Sequence, residues 1–213
     1  MSEAPVESGT EGVRPAPRRT GLRHFDAIVS ISAIFISAVS LYVAIEHGKT
    51  ERQLVAANVW PFLREIRSNG YGPDNDIAIG YSNAGVGPAK VRSFEVFYRG
   101  QPVSSELDLL RKCCDLPADS SDVLKALPKG LFYATPNNTV LRPGEFYPVT
   151  MIHRVASTPD VPNRFAAALG QLTFRVCYCS VLDQCWSSDL QNMQAQPVKE
   201  CEPSEHPYDS NGH

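Results

Sequence analysis

The chain has 213 residues, 43% of them hydrophobic, and a formal net charge of −3. That length supports one domain with a real core, plus tails. Between Trp60 and Leu190 thirteen Lys or Arg balance thirteen Asp or Glu with no basic stripe that could track phosphates, so nucleic acid is excluded as an expected partner.

The first residues carry Pro5, Pro15 and Pro17 among Gly, Ser and Thr, with almost no large apolar side chains. Such a stretch buries too little surface to order itself, and residues 1–24 read as a flexible cytoplasmic tail. From Ala27 to Ile45 follow nineteen residues without a charge, Pro, Gly, Asn or Gln. As a helix this run is about 28 Å long, close to the roughly 30 Å of bilayer hydrocarbon, so residues 25–46 are assigned as a transmembrane helix in contact with lipid.

Arg14, Arg18, Arg19 and Arg23 precede the run and only Lys49 and Arg52 follow closely, which orients the N-terminus toward the cytoplasm and the bulk of the chain outward. Ala38-Val39-Ser40 offers the small residues of a signal-peptidase site. The apolar run continues five residues past Ser40, however, which favours an uncleaved signal anchor over a cleaved signal peptide. Ser30, Ala33, Ser37, Ser40 and Ala44 fall on one helical stripe of small side chains. A stripe of this kind lets two helices approach in lipid and self-associate; chance spacing in a Ser- and Ala-rich span is the alternative.

Residues 47–59 contain good helix formers and no Pro, and extend the helix as a stalk until Trp60-Pro61 breaks the pattern. Beyond it the chain becomes strand-like. Ile77, Ile79 and Tyr81 alternate with smaller residues; "NAGVGPAKV" makes a Gly-rich turn; Phe94, Val96 and Tyr98 share the next strand face. "LRPGEFYPVTMIH" reads as a Pro-Gly turn and strand, and "QLTFRVCYCS" leads through "VLDQ" into "CWSSDL" as a last hairpin. Short helices are expected only in the connections: "SSELDLLRKCCD" with a Ser cap, "DVLKAL" at Asp122, and "VPNRFAAAL" at Val161. The fold class is therefore mainly β: an antiparallel, immunoglobulin-like β-sandwich over residues 60–190 with a helical insertion at about 104–128. Residues 191–213 read as a disordered acidic tail, because polar residues and Pro return there.

In the last hairpin Leu172, Phe174, Val176 and Tyr178 share the core face, while Cys177 and Cys179 point the other way. With Tyr178 opposite Trp186, Cys179 lies opposite Cys185 at disulfide spacing. Cys113, Cys114 and Cys201 complete an even count of six, which in an oxidising compartment reads as structural disulfides. The expected pairing is Cys179 with Cys185, one of Cys113 and Cys114 with Cys177, and the other with Cys201. A zinc site is the runner-up, weakened by the lack of a C-x₂-C knuckle and by His153 as the domain's one histidine. Redox catalysis has neither a C-x-x-C pair nor an adjacent helix start to lower a thiol pKa.

No nucleophile elbow, P-loop, H-E-x-x-H or kinase signature is present, so no enzyme, catalytic residue, metal or cofactor is expected. Asp74 and Asp76 in "GPDND" read as a solvated turn, and "NNT" at Asn137 matches a glycosylation sequon. The order of signal anchor, Trp-Pro start, "NAGVGPAKV", Pro-Gly turn and closing "CYCSVLDQCW" resembles a family of uncharacterised bacterial envelope proteins with an N-terminal anchor and a small β-sandwich domain. The resemblance covers roughly Phe25 to Leu190, implies that architecture, and carries no catalytic residues across. Together these readings anticipate a non-enzymatic interaction module held in the inner membrane and facing the periplasm, with a protein partner that the sequence does not specify. A ligand-sensing protein with a self-associating helix is the alternative, and an enzyme with no recognisable motif comes third.

Overall fold

The computed structural model describes residues 22–116, 130–154 and 160–209. The proposed cytoplasmic tail up to residue 21 and the expected turn of helix at Asp122 lie outside them. Helix α1 (Leu22–Asn58) runs unbroken for 37 residues, so anchor and stalk are one element. Its apolar stretch is long enough to cross a membrane, and its side chains are exposed. Within it Ser30 Oγ donates to the Asp26 carbonyl and Ser37 Oγ to the Ala33 carbonyl, both at 2.8 Å, so these hydroxyls have partners in their own helix.

The remainder forms two antiparallel sheets. One has the order β1-β2-β7-β5, from Leu63–Tyr71, Asp76–Asn83, Phe146–Ile152 and Leu131–Tyr133. The other has the order β10-β9-β8-β3, from Gln196–Val198, Cys185–Ser188, Leu172–Cys179 and Ala89–Tyr98. The free edge of β3 is shared between β6 (Thr139–Leu141) on its first half and β4 (Gln101–Val103) on its last. Both sheets feed one core: Ile77, Ile79 and Tyr81 come from the first, Phe94, Val96, Phe174, Val176 and Tyr178 from the second. The rings of Tyr81 and Phe94 meet with centroids 5.1 Å apart.

The expected alternation holds in β8, whose Leu172, Phe174, Val176 and Tyr178 are buried. It fails in β2, where Ala78 and Gly80 are buried as well. That strand is covered on both faces, and a Cβ added at Gly80 would lie 2.8 Å from the Phe146 ring. In the interior strand β7, Pro148 occurs at a register shift against Ile79 and Gly80. A bulge there tolerates a residue with no N–H to give the ladder.

Two of the three expected connecting helices lie within the described residues. Helix α2 (Glu106–Cys114) is capped by Ser105, whose Oγ accepts from the Asp108 N–H at 3.3 Å. Glu106 and Asp108 in its first turn and Arg111 and Lys112 in its last complement the helix dipole. Helix α3 (Asp160–Ala168) packs against α2 and ends in a 3₁₀ turn leading to β8.

Asn83 joins the domain's entry to its first turn. Its Oδ1 accepts from Phe62 and Gly85 N–H, and its Nδ2 donates to the Gly87 and Leu141 carbonyls at 2.8 and 3.2 Å. All its hydrogen-bonding groups are used inside the protein, the condition for burying an amide without loss. The turn lies so close to the preceding segment that a Cβ at Gly87 would fall 2.0 Å from the Val59 carbonyl oxygen. Gly87→Ala must push that backbone aside and is expected to cost about 2 kcal/mol, read as a shift in denaturant midpoint at unchanged slope.

The sequence places the end of the domain near residue 190, and the structure corrects this. Strand β10 pairs with β9 from Gln196 to Val198, and Tyr208 is fully buried in the core. Composition alone missed these anchors because they are few and lie far apart in the chain.

Candidate functional site

The face of β3 and β8 turned away from the core carries Glu95, Cys177 and Cys179. The segment from Cys201 to Asp209 crosses it as a strap. Cys177 is bonded to Cys201 and Cys179 to Cys185. Glu95, itself buried, accepts from Ser204 Oγ at 2.6 Å and the His206 N–H at 3.3 Å, while Arg175 donates to its other oxygen at 3.2 Å. Farther along, Tyr208 N–H donates to the Phe94 carbonyl at 3.2 Å and Asp209 N–H to the Ser104 carbonyl at 2.9 Å. Asn137 closes this end: its Oδ1 accepts from Phe94 N–H at 2.6 Å and its Nδ2 donates to the Tyr208 carbonyl at 2.7 Å. The sequon asparagine thus has its amide committed to the fold.

Beneath the strap lies Glu106, the first residue of α2, fully buried. Its Oε2 accepts from Tyr208 OH at 2.5 Å and from Thr150 Oγ1, and its Oε1 has no partner among the described residues. Burial pushes this carboxyl up to about 7 against the opposing pull of the two hydroxyl donors. Burial, and then the neighbouring carboxylate, push the Tyr208 phenol up in turn.

All six cysteines are in disulfides, and two of the three pairings differ from the expected set. Cys179–Cys185 closes the β8–β9 hairpin across the pair Tyr178↔Trp186. Neither Cys113 nor Cys114 reaches the last hairpin; they bond to each other at the end of α2. Cys201 bonds to Cys177 because β10, adding to the sheet beside β9, brings it back over the outer face of β8. The Cys177–Cys201 bridge spans 24 residues and contributes about 3 kcal/mol in the chain-entropy treatment, whereas the vicinal pair closes no loop. Replacing Cys201 by Ser is therefore expected to lower the unfolding free energy by about that amount, and replacing Cys113 and Cys114 together by much less. Parallel denaturation curves check the order.

A second cluster occurs where β2 begins. Asp76, expected in a solvated turn, is buried with its Oδ1 2.7 Å from His153 Nδ1, and Asp74 completes a group whose ligand atoms lie within 4.8 Å of one another. Burial follows from β2 being flanked by β1 and β7, with Gly130 packed on the His153 ring. Arg154 donates to the Asn75 and Asn69 carbonyls, both at 3.1 Å, and its guanidinium opposes a cation at this turn.

Arg92, Arg111, Lys112 and Lys199 line one broad groove with Asp108, Glu200, Glu202 and the cysteines Cys179, Cys185 and Cys201. Its volume of about 1480 Å³ and open, mixed-charge walls differ from the enclosed, mostly apolar cavities that hold small ligands. The buried acids and the strap's anchors escape sequence reasoning because each looks like an ordinary exposed polar residue; the one available signal was the pair of outward cysteines in β8, which implied a cover.

Among the described residues, the fold and site define one membrane-length helix and a disulfide-braced, two-sheet antiparallel β-domain. Compared with protein-family models, curated proteins and solved structures, it matches none.

Proposed function

We propose that the chain is a bitopic inner-membrane protein of bacteria that presents an immunoglobulin-like β-sandwich to the periplasm as a non-enzymatic interaction module, a subunit or scaffold of an envelope complex. One observation carries this reading: an unburied membrane-length helix shares a chain with a domain in which every cysteine is in a disulfide. Disulfides persist in oxidising compartments and a helix of that kind carries a domain into one. The open, mixed-charge groove supports a protein partner, since charge pairing across a polar surface sets partner choice.

Two C-terminal fusions test the placement. An alkaline phosphatase fusion is expected to be active and a green fluorescent protein fusion dark; the reverse would put the domain in the cytoplasm and end this reading. Cross-linking in membranes should then trap a partner that Arg111→Glu with Lys199→Glu releases.

A second reading, a ligand sensor whose helix self-associates, is favoured by the small-residue stripe from Ser30 to Ala44 running along a single continuous helix. Under it, Ser37→Leu abolishes a cross-linked dimer of the wild type; an unchanged cross-linking pattern leaves the first reading alone.

A further inference from the structure

The two disulfides on the outer face of β8 touch. Cys179 Sγ lies 3.8 Å from Cys201 Sγ, although the two belong to different bonds. The sulfurs of Cys179, Cys185 and Cys201 all lie within 4.8 Å of one another. Disulfides exchange when a thiolate attacks a disulfide sulfur, and the usual obstacle is bringing a third sulfur to the bond. Here it is already in contact, so about 1.8 Å of approach separates the present distance from a bond.

We propose that Cys177, Cys179, Cys185 and Cys201 form a thiol–disulfide exchange centre, in which a dithiol on a partner protein makes Cys179 transfer its bond from Cys185 to Cys201. A partner thiolate enters by the groove that Cys185 lines and attacks Cys185 Sγ. The Cys179–Cys185 bond breaks, a mixed disulfide forms, and Cys179 leaves as a thiolate. Cys179 then attacks Cys201 Sγ; the Cys177–Cys201 bond breaks and Cys177 takes a proton from water. The partner's second thiol displaces Cys185. In sum, the partner dithiol loses two electrons and two protons and becomes a disulfide, and the centre passes from two disulfides to one, with thiols at Cys177 and Cys185.

The geometry links this chemistry to the strap. Cys201 stays attached to β8 throughout, but its attachment moves two residues along the strand, about 6.6 Å. The Cys201 sulfur itself has only about 1.8 Å to travel, so Ser204 and His206, a few residues beyond it, can keep their hold on Glu95. The vicinal pair on α2 takes no part. The exchange depends on the sulfur positions alone and stands apart from the identity of any docking partner.

The decisive experiment uses the full chain in detergent, treated with one equivalent of dithiothreitol as the dithiol, quenched in acid, alkylated and mapped without reduction. Chymotryptic cleavage after Tyr178 separates Cys177 from Cys179. To keep the vicinal pair from consuming reductant, the protein carries Cys113→Ala and Cys114→Ala. The expected single-disulfide species holds Cys179–Cys201, with Cys177 and Cys185 alkylated. A single-disulfide population holding only Cys177–Cys201 or only Cys179–Cys185 would overturn the proposal. Cys185→Ser gives a second, reductant-free reading: Cys179–Cys201 in about a tenth or more of the molecules supports exchange, and a uniform Cys177–Cys201 bond with Cys179 alkylated contradicts it.

Discussion

Tyr208→Ala is expected to destabilise the domain by about 3–5 kcal/mol, the range for removing a buried aromatic ring. Tyr208 is fully buried, and its hydroxyl supplies one of the two donors on Glu106 Oε2. Truncation opens a cavity and strips that donor from a carboxylate whose other oxygen has no partner among the described residues. Tyr208→Phe separates the two contributions: it keeps the ring, loses the hydrogen bond, and should cost about 1–2 kcal/mol. Urea titration of the full chain in detergent measures both. Near-equal stability of wild type and Tyr208→Ala would mean that the strap adds nothing to the core.

Glu106 gives the domain a pH dependence opposite to that of most carboxylates. Its folded pKa is pushed up, by burial first, to about 7 from an ordinary 4.5. The folded state therefore binds this proton more tightly than the unfolded state. The associated stability is fully present below about 4.5 and is lost as pH rises through about 7; its total is about 3 kcal/mol. Glu106→Gln removes the titration, so its stability should be nearly flat between pH 5 and pH 8, the range over which the wild type declines. The amide places a donor where Oε1 has no partner, which lowers the variant's level at acid pH without restoring a slope. Parallel slopes for the two proteins would show that the buried carboxylate does not set the pH response.

Both effects come from residues that look ordinary in the sequence. Glu106 reads as the acidic first turn of a capped helix, and it is that, since Ser105 caps α2. Its burial depends on Thr150, 44 residues away, and Tyr208, 102 residues away, and no local pattern encodes such separations. What could be read locally was the apolar helix, the β8–β9 register with Cys179 opposite Cys185, and the helices at α2 and α3, because period and capping are short-range properties. The strap was illegible for the opposite reason. Its composition is that of a soluble tail, and a few long-range contacts at Cys201, Ser204, His206 and Tyr208 hold it in place. The two disulfide pairings that differ share that cause: nothing local signals that Cys201 returns over Cys177 instead of meeting the insertion.

The proposed function requires a membrane-tethered domain that lives oxidised. Its most direct test is mass-tagging of free thiols in intact cells, quenched in acid before lysis and read on the full-length band. The expected result before reduction is no tag on the resting chain, or two where the exchange centre has reacted, and six tags after reduction, matching three disulfides among six cysteines. Six tags without reduction would place these sulfurs in a reducing compartment and contradict it.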